Sequence, residues 1–143
     1  MDTIRTRKWH VLVIALSIIV LIPSCAKSPD NQLVGEWMGT DPTGDTASFL
    51  FNEDGTARMI QGNMVLDGSS IGGTVTWKLD ASHDPMHLDL VMSKESGETV
   101  VLPMIIRFLG ENRLQAKISE DRQSRPLEFS ESTDINQVVL TRQ

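Results

Sequence analysis

Apolar and polar residues alternate with a period of two over much of the chain from residue 46 onward, which is typical of β-strands with one buried face. In 46–51 the residues Ala47, Phe49 and Phe51 lie on one face of such a strand. The Asn-Glu-Asp-Gly sequence at 52–55 predicts a turn with its glycine where a positive φ is needed. A second strand at 56–60 would complete the hairpin.

The same alternation predicts further strands towards the C-terminus. Trp77 and its neighbours alternate with polar residues over 74–80, and four apolar residues alternate over 86–92. Between them, 81–85 is polar, ends in a proline and predicts a loop. Further short strands are predicted at 114–118 and 138–141.

These strands predict an all-β fold, an antiparallel lipocalin-like barrel or flattened β-sandwich of about eight to ten strands. No window of eleven or more residues after Cys25 has apolar residues at helical spacing, so we expect no long helix. Pro103 cannot donate a hydrogen bond to a sheet. We therefore expect a bulge at Pro103, or an edge position for the strand in 99–108.

The N-terminus has the pattern of an export signal. Three basic residues at positions 5, 7 and 8 precede a largely apolar run over 9–22. Fourteen helical residues span roughly 21 Å, less than the roughly 30 Å hydrocarbon core of a bilayer. Leu21-Ile22-Pro23-Ser24-Cys25 resembles a lipobox, with Pro23 as its one imperfect position. An ordinary secretory signal or an uncleaved short anchor are the alternatives.

This resemblance predicts a bacterial lipoprotein that is cleaved before Cys25 and lipidated there. The predicted divisions are a signal peptide at 1–24, a lipidated cysteine and tether at 25–32, and a β domain at 33–143. Several acyl chains would hold the protein durably on a membrane. Ala26 replaces the aspartate that usually retains lipoproteins at the inner membrane. We therefore expect the periplasmic side of the outer membrane, or the exterior of a plasma membrane in a single-membrane bacterium.

Charge and cysteine content exclude several functions. Loss of 1–24 removes three basic residues and one acidic residue, which moves the formal net charge from −6 to −8. An acidic domain without a basic cluster is a poor binder of nucleic acid. Cys25 is the only cysteine, so the domain has no internal disulfide or thiolate metal site. We expect no cofactor.

Gly35-Glu36-Trp37 matches the G-x-W sequence that opens lipocalin-type barrels. In that reading, glycine lets the chain pass close beneath the barrel, and tryptophan plugs the barrel bottom beneath a stacked arginine. Arg142 or Arg125 is the predicted arginine. The alternative is that Trp37 is a core residue of an unrelated sandwich.

Six segments, in order along residues 33–142, extend this resemblance. They are LVGEW at 33–37, FNEDGT at 51–56, GTVTWKLD at 73–80, DPMHLDL at 84–90, IRFLGENRL at 106–114 and RPLEF at 125–129. Together they resemble a family of small bacterial exported domains with lipocalin-like character. That family carries no agreed activity, cofactor or catalytic residue, so no site transfers. Pro103 and Met104-Ile105 depart from its pattern.

Three other patterns suggest chemistry that we do not assign. Gly68-Ser69-Ser70-Ile71-Gly72 matches the nucleophile elbow G-x-S-x-G, but a strand rather than the required helix follows. His83, Asp84, His87 and Asp89 offer metal ligands, of which His87 and Asp89 share one polar strand face, yet a solvated face is favoured. The acidic loop at 41–45 lacks the ligand spacing of an EF-hand and reads as a turn.

Three functions remain open. An envelope interaction or structural module is favoured, with a protein partner gripped by loops or by the open end of the barrel. The alternative is a carrier of a small hydrophobic ligand, and an enzyme is the least favoured. The wall of a carrier cavity would comprise Phe49, Phe51, Met59, Trp77, Leu79, Leu88 and Leu90. These residues would otherwise form an ordinary core, because small barrels are often filled by their own side chains.

Overall fold

A computed structural model describes residues 26–131 and 134–143. Over these residues, nine strands and two short helices follow one another. The helices are α1 (Pro29–Leu33) and α2 (Gly68–Ile71). The strands are β1 (Gly35–Thr40), β2 (Thr46–Phe51), β3 (Ala57–Gln61), β4 (Met64–Leu66), β5 (Gly73–Asp80), β6 (Met86–Lys94), β7 (Thr99–Phe108), β8 (Arg113–Ile118) and β9 (Gln137–Arg142).

All nine strands form one antiparallel sheet in the order β4-β3-β2-β1-β9-β8-β7-β6-β5. The sheet curls into a nearly closed barrel, which confirms the predicted fold class. At the seam, Thr56 forms an isolated bridge with Thr76, and the Trp77 N–H donates to the Gly55 carbonyl at 2.9 Å. Helix α2 contacts both β4 and β5 where these end strands do not pair.

The strand alternation places one apolar core inside the barrel. Trp37, Leu88, Ile106 and Leu140 are completely buried there and come from four different strands. The predicted hairpin at 46–60 is present, and Gly55 has φ +86° at its turn. Because every inward residue is followed by an outward one, the polar residues of the same strands lie on the outer face.

Two short helices were not predicted. Helix α1 begins within the predicted tether, where Ser28 caps the helix by accepting from the Asn31 N–H and Pro29 stands at the first helical position. Both residue types favour a helix start at these positions. Helix α2 has only four residues. Neither helix is long enough to show the apolar periodicity by which helices are predicted.

Strand β7 continues through Pro103 without the predicted bulge, since its register with β6 is unbroken from Met86↔Ile106 to Ser93↔Thr99. The edge alternative fits better. Pairing with β8 begins only at Met104, so residues 99–103 are paired on one side. Proline is tolerated there because the free side of the strand needs no N–H donor.

Candidate functional site

One end of the barrel is closed by the predicted G-x-W signature. Trp37 is fully buried, and the Arg142 guanidinium carbon lies 4.2 Å from the centre of its ring. Gly35 has φ +130°, and a Cβ there would lie 2.6 Å from Arg142 Nη1. A larger residue at position 35 would therefore displace the stacked arginine.

The same residues fasten α1 to the barrel. The Trp37 indole N–H donates to the Leu33 carbonyl at 2.7 Å. Arg142 Nη1 donates to the Val34 carbonyl at 2.7 Å, and its Nη2 donates to the Gln32 carbonyl. These are carbonyls at the end of a helix, which have no partners within the helix itself. The signature thus closes the barrel and fixes the segment that enters it.

Arg125 has a different role from the stacking one predicted as an alternative. It belongs to residues 119–131 of the long β8–β9 connection, which we call the strap. Its Nη1 donates to the carbonyls of Met104 at 2.5 Å and Leu88 at 3.3 Å. Its Nη2 contacts the Asp89 carboxylate at 2.5 Å. The arginine therefore clamps the strap onto the outer face of β6 and β7.

Ile105 shows that the strap covers part of the outer face of the sheet. It pairs with His87 and Lys117, which face away from the core, yet only 1% of Ile105 is exposed. Nearby, Arg107 lies 4.9 Å from the centre of the Phe129 ring in the strap. The strap is therefore fastened to the sheet, although none of its own residues is buried.

The end of the strap is held by polar contacts to β8 and β9. The Ser130 N–H donates to Gln137 Oε1 at 2.9 Å, and Gln137 Nε2 donates back to the Ser130 carbonyl at 3.1 Å. Lys117 Nζ contacts the Ser130 hydroxyl and forms a 3.0 Å ion pair with Asp134. Gln137 is buried with both ends of its amide satisfied.

A groove of about 620 Å³ lies between the strap, the end of β8 and the residues before β9. Four acidic side chains line it, Glu120, Asp121, Glu128 and Asp134, of which Asp134 is paired with the lining Lys117. The lining residue Leu127 is an apolar side chain that is 90% exposed. This groove therefore combines an acidic wall with an unburied apolar contact.

Hydrogen bonds lower the pKa of two groove carboxylates, Asp121 and Asp134. The backbone N–H groups of Gln123 and Ser124 and the Ser124 hydroxyl hold the pKa of Asp121 well below its usual value. The Asn136 N–H and the Lys117 ammonium lower the pKa of Asp134 in spite of partial desolvation. Hydrogen bonds to a carboxylate favour its charged form. Asp121 and Asp134 therefore favour the ionised form.

The seven predicted wall residues lie in the packed interior. Phe49, Phe51, Met59, Leu88 and Leu90 are at most 2% exposed, and Trp77 and Leu79 pack against them. The Phe51 ring lies 5.9 Å from that of Trp77 in an edge-to-face arrangement. Four surface grooves, near the strap and the strand ends, are lined by other side chains.

The histidines lie on the outer face at the beginning of β6. The rings of His83 and His87 stack with centres 3.8 Å apart, and His83 Nδ1 lies 3.2 Å from the Asp80 carboxylate. Burial, the Arg125 guanidinium and His83 lower the pKa of His87. Asp89 is engaged by Arg125. Within 26–131 and 134–143, no group of three or more His, Cys, Asp or Glu side chains is arranged to hold a metal ion.

Ser70 forms part of the N-terminal cap of helix α2. Its N–H donates to Asp67 Oδ1 at 2.8 Å, and the Asp67 N–H donates to Ser70 Oγ at 3.0 Å. This reciprocal pair is a capping box. The backbone N–H of Ser70 is also the main cause of the lowered pKa of Asp67. The strand β5 follows directly, so the G-x-S-x-G sequence here starts a single helical turn.

The strap contacts were missed because they join residues distant in the sequence. Arg107, Lys117 and Gln137 carry no local periodicity that marks them as partners of the strap. The start of helix α1 could have been predicted from the sequence, since Ser28-Pro29-Asp30 combines a cap, a proline at the first position and an acidic first turn.

Cys25, the predicted lipidation site, lies outside the described residues. Within the described part of the chain, no helix has the length and apolar character needed to cross a membrane. Comparison with protein-family models and with curated protein sequences gives no match. The site residues above are assigned from geometry and chemistry.

Proposed function

We propose that this protein is an envelope lipoprotein, anchored through lipid on Cys25, whose barrel is an interaction module for another envelope component. The observation that carries this proposal is the contrast between a filled interior and the groove beside the strap. The proposal includes no catalytic residue. It also includes the proposal that the protein belongs to the exported lipocalin-like family that the six sequence segments suggest.

The filled interior argues for binding at the surface. A cavity for a small ligand usually has about 300 Å³ or more of apolar-lined space. The side chains that would line such a cavity pack against one another inside this barrel instead. The groove, by comparison, is open to solvent and offers charge and an apolar contact together.

The chemistry of the groove defines the partner. Three acidic side chains, Glu120, Asp121 and Glu128, form no salt bridge within residues 26–131 and 134–143, and the exposed Leu127 lines the same groove. A segment with two or more basic residues flanking an apolar one would complement this surface. Electrostatic complementarity of this kind steers encounter and selects partners.

The envelope location rests on the lipobox and on charge. A domain of formal charge −8 has no electrostatic affinity for anionic lipid, so membrane attachment would depend on the acyl chains. Ala26 favours the outer membrane, facing the periplasm. Replacement Cys25→Ser should release the protein into the soluble fraction or leave it as uncleaved precursor. A mature-sized protein still in the membrane fraction would contradict the anchor.

Native mass spectrometry of the protein purified from its own envelope, without refolding, tests the module against the carrier. A bare domain, or one with a stoichiometric protein partner, is expected. A partner should then be lost from Leu127→Asp but retained by Val101→Asp, a matched change at an exposed apolar side chain outside the groove. A co-purifying lipid or other small apolar molecule would overturn the module.

One observation favours the carrier as the second candidate. Met64 and Met92 pack only partly buried against the core, as do Leu66 and Ile71. Methionine side chains adapt to irregular spaces, so this part of the interior could repack around a slender ligand. In that case the mass spectrum would show the bound molecule, and Met92→Trp would abolish it by filling the space.

A further inference from the structure

The structure leaves very little free chain between the proposed lipid and the folded barrel. Three residues, Ala26, Lys27 and Ser28, separate Cys25 from α1. Four residue steps span at most about 14 Å when fully extended. A tether continuing to residue 32 would have allowed almost twice that reach.

Helix α1 cannot easily release more chain. Three of its C-terminal carbonyls accept hydrogen bonds from Trp37 and Arg142. The Gln32 side chain also donates to the Gly110 carbonyl at 3.1 Å, in the turn between β7 and β8. Lengthening the tether would require breaking these bonds together.

This barrel end is identified by strand direction. Strand β7 runs from the 95–98 turn to the 109–112 turn, so these two turns lie at opposite ends of the barrel. The Gln32 contact places α1 at the 109–112 end. Leu109 in that turn is 39% exposed. Strand β7 has ten residues, about 33 Å at the usual rise, which exceeds the reach of the tether.

We infer that the barrel end formed by α1 and the 109–112 turn lies against the bilayer, with Leu109 at the headgroup boundary. This inference rests on the proposed lipidation of Cys25. The short tether supplies the proximity, and an exposed leucine fits an interface between water and acyl chains. If the barrel instead lay on the side that carries the strap, the acidic groove would be pressed against the lipid surface. The groove therefore remains available to a partner.

A nitroxide label can test this orientation on the full lipidated protein. Cys25 is the only natural cysteine, and acylation blocks its thiol, so one introduced cysteine is the sole labelling site. Leu109→Cys reports the proposed contact, and Ser96→Cys, in the exposed turn at the opposite end, is the matched control. Each protein is bound to phosphatidylcholine vesicles, and label collisions with oxygen and with an aqueous nickel complex are measured.

We expect the label at 109 to be shifted towards oxygen and protected from nickel, whereas the label at 96 should remain open to nickel. Inserting about six Gly/Ser residues between Lys27 and Ser28 should move the value at 109 towards that at 96, because a flexible linker frees the end from the surface. Equal nickel access at 109 and 96 on vesicle-bound protein would overturn the orientation alone. Failure of the Cys25-intact protein to float with vesicles would overturn the anchor, and the orientation with it.

Discussion

The Arg142 guanidinium should be a major stabilising group of the closed barrel end. We expect Arg142→Met, which keeps an apolar side chain of similar length, to lower the free energy of unfolding by about 2–3 kcal/mol. Each hydrogen bond from a charged donor is worth roughly 1.5–3 kcal/mol, and stacking on an indole adds roughly 0.5–1 kcal/mol. Because the site is partly exposed, water can replace some of the lost hydrogen bonds in the variant. The expected loss is therefore smaller than the sum of the hydrogen-bond and stacking contributions.

Urea unfolding followed by tryptophan fluorescence measures this loss, because Trp37 lies directly under the guanidinium. A domain of this size loses about 1–2 kcal/mol of stability per molar urea, so the midpoint should fall by about 1–3 M. Arg113→Met is the matched control, since Arg113 is an exposed arginine on β8.

A double-mutant cycle with Trp37→Phe separates stacking from hydrogen bonding. If the stacking matters, the two changes should couple by about 0.5–1 kcal/mol, within the range for residues in contact. A loss for Arg142→Met that equals the loss for Arg113→Met would refute the role argued here. It would mean that α1 is held by Trp37 and apolar packing alone.

Three further predictions follow from single positions. Gly35→Ala should cost about 1–3 kcal/mol more than Gly44→Ala, because both strain a positive φ but only the first collides with another side chain, as paired urea titrations would show. The lowered pKa of His87 favours its neutral form in the fold, so stability should fall as pH drops below the ordinary value of about 6.5, and His87→Gln should flatten that part of the pH profile. Asp89→Asn should speed tryptic cleavage after Arg122 by loosening the strap while the urea midpoint changes little; unchanged cleavage would argue against the clamp.

The sheet could be predicted from sequence because its signals are local. Ala47, Phe49 and Phe51 alternate with outward residues, and the Asn-Glu-Asp-Gly turn that follows needs only its glycine to form a hairpin. The short strand β4 was missed because three residues are too few to establish alternation. At Pro103 the sequence left a bulge and an edge position both open, since one sequence does not tell which side of a strand lacks a neighbour; the structure has the edge position.

The site was less predictable because its contacts join residues that are distant in the sequence. Either Arg142 or Arg125 was expected to stack on Trp37, and nothing local in the sequence distinguishes the two. The last strand pairs with β1 and brings Arg142 over the indole, whereas Arg125 lies in the strap and meets Asp89, which is 36 residues away in sequence. Such contacts depend on which strands become neighbours. The groove beside the strap therefore appears only in three dimensions.

Arg142 and Arg125 each fasten a chain segment to the barrel, and this links the fold to the proposed function. Each guanidinium spans several acceptors at once, two carbonyls for Arg142 and two carbonyls with a carboxylate for Arg125. A lysine presents a compact ammonium without this planar fork, so it could not reproduce either arrangement. Arg142 shortens the tether by holding α1, and Arg125 builds one wall of the groove by holding the strap. The groove begins at the end of β8 remote from the 109–112 turn, so a barrel standing on its α1 end would present the groove away from the bilayer.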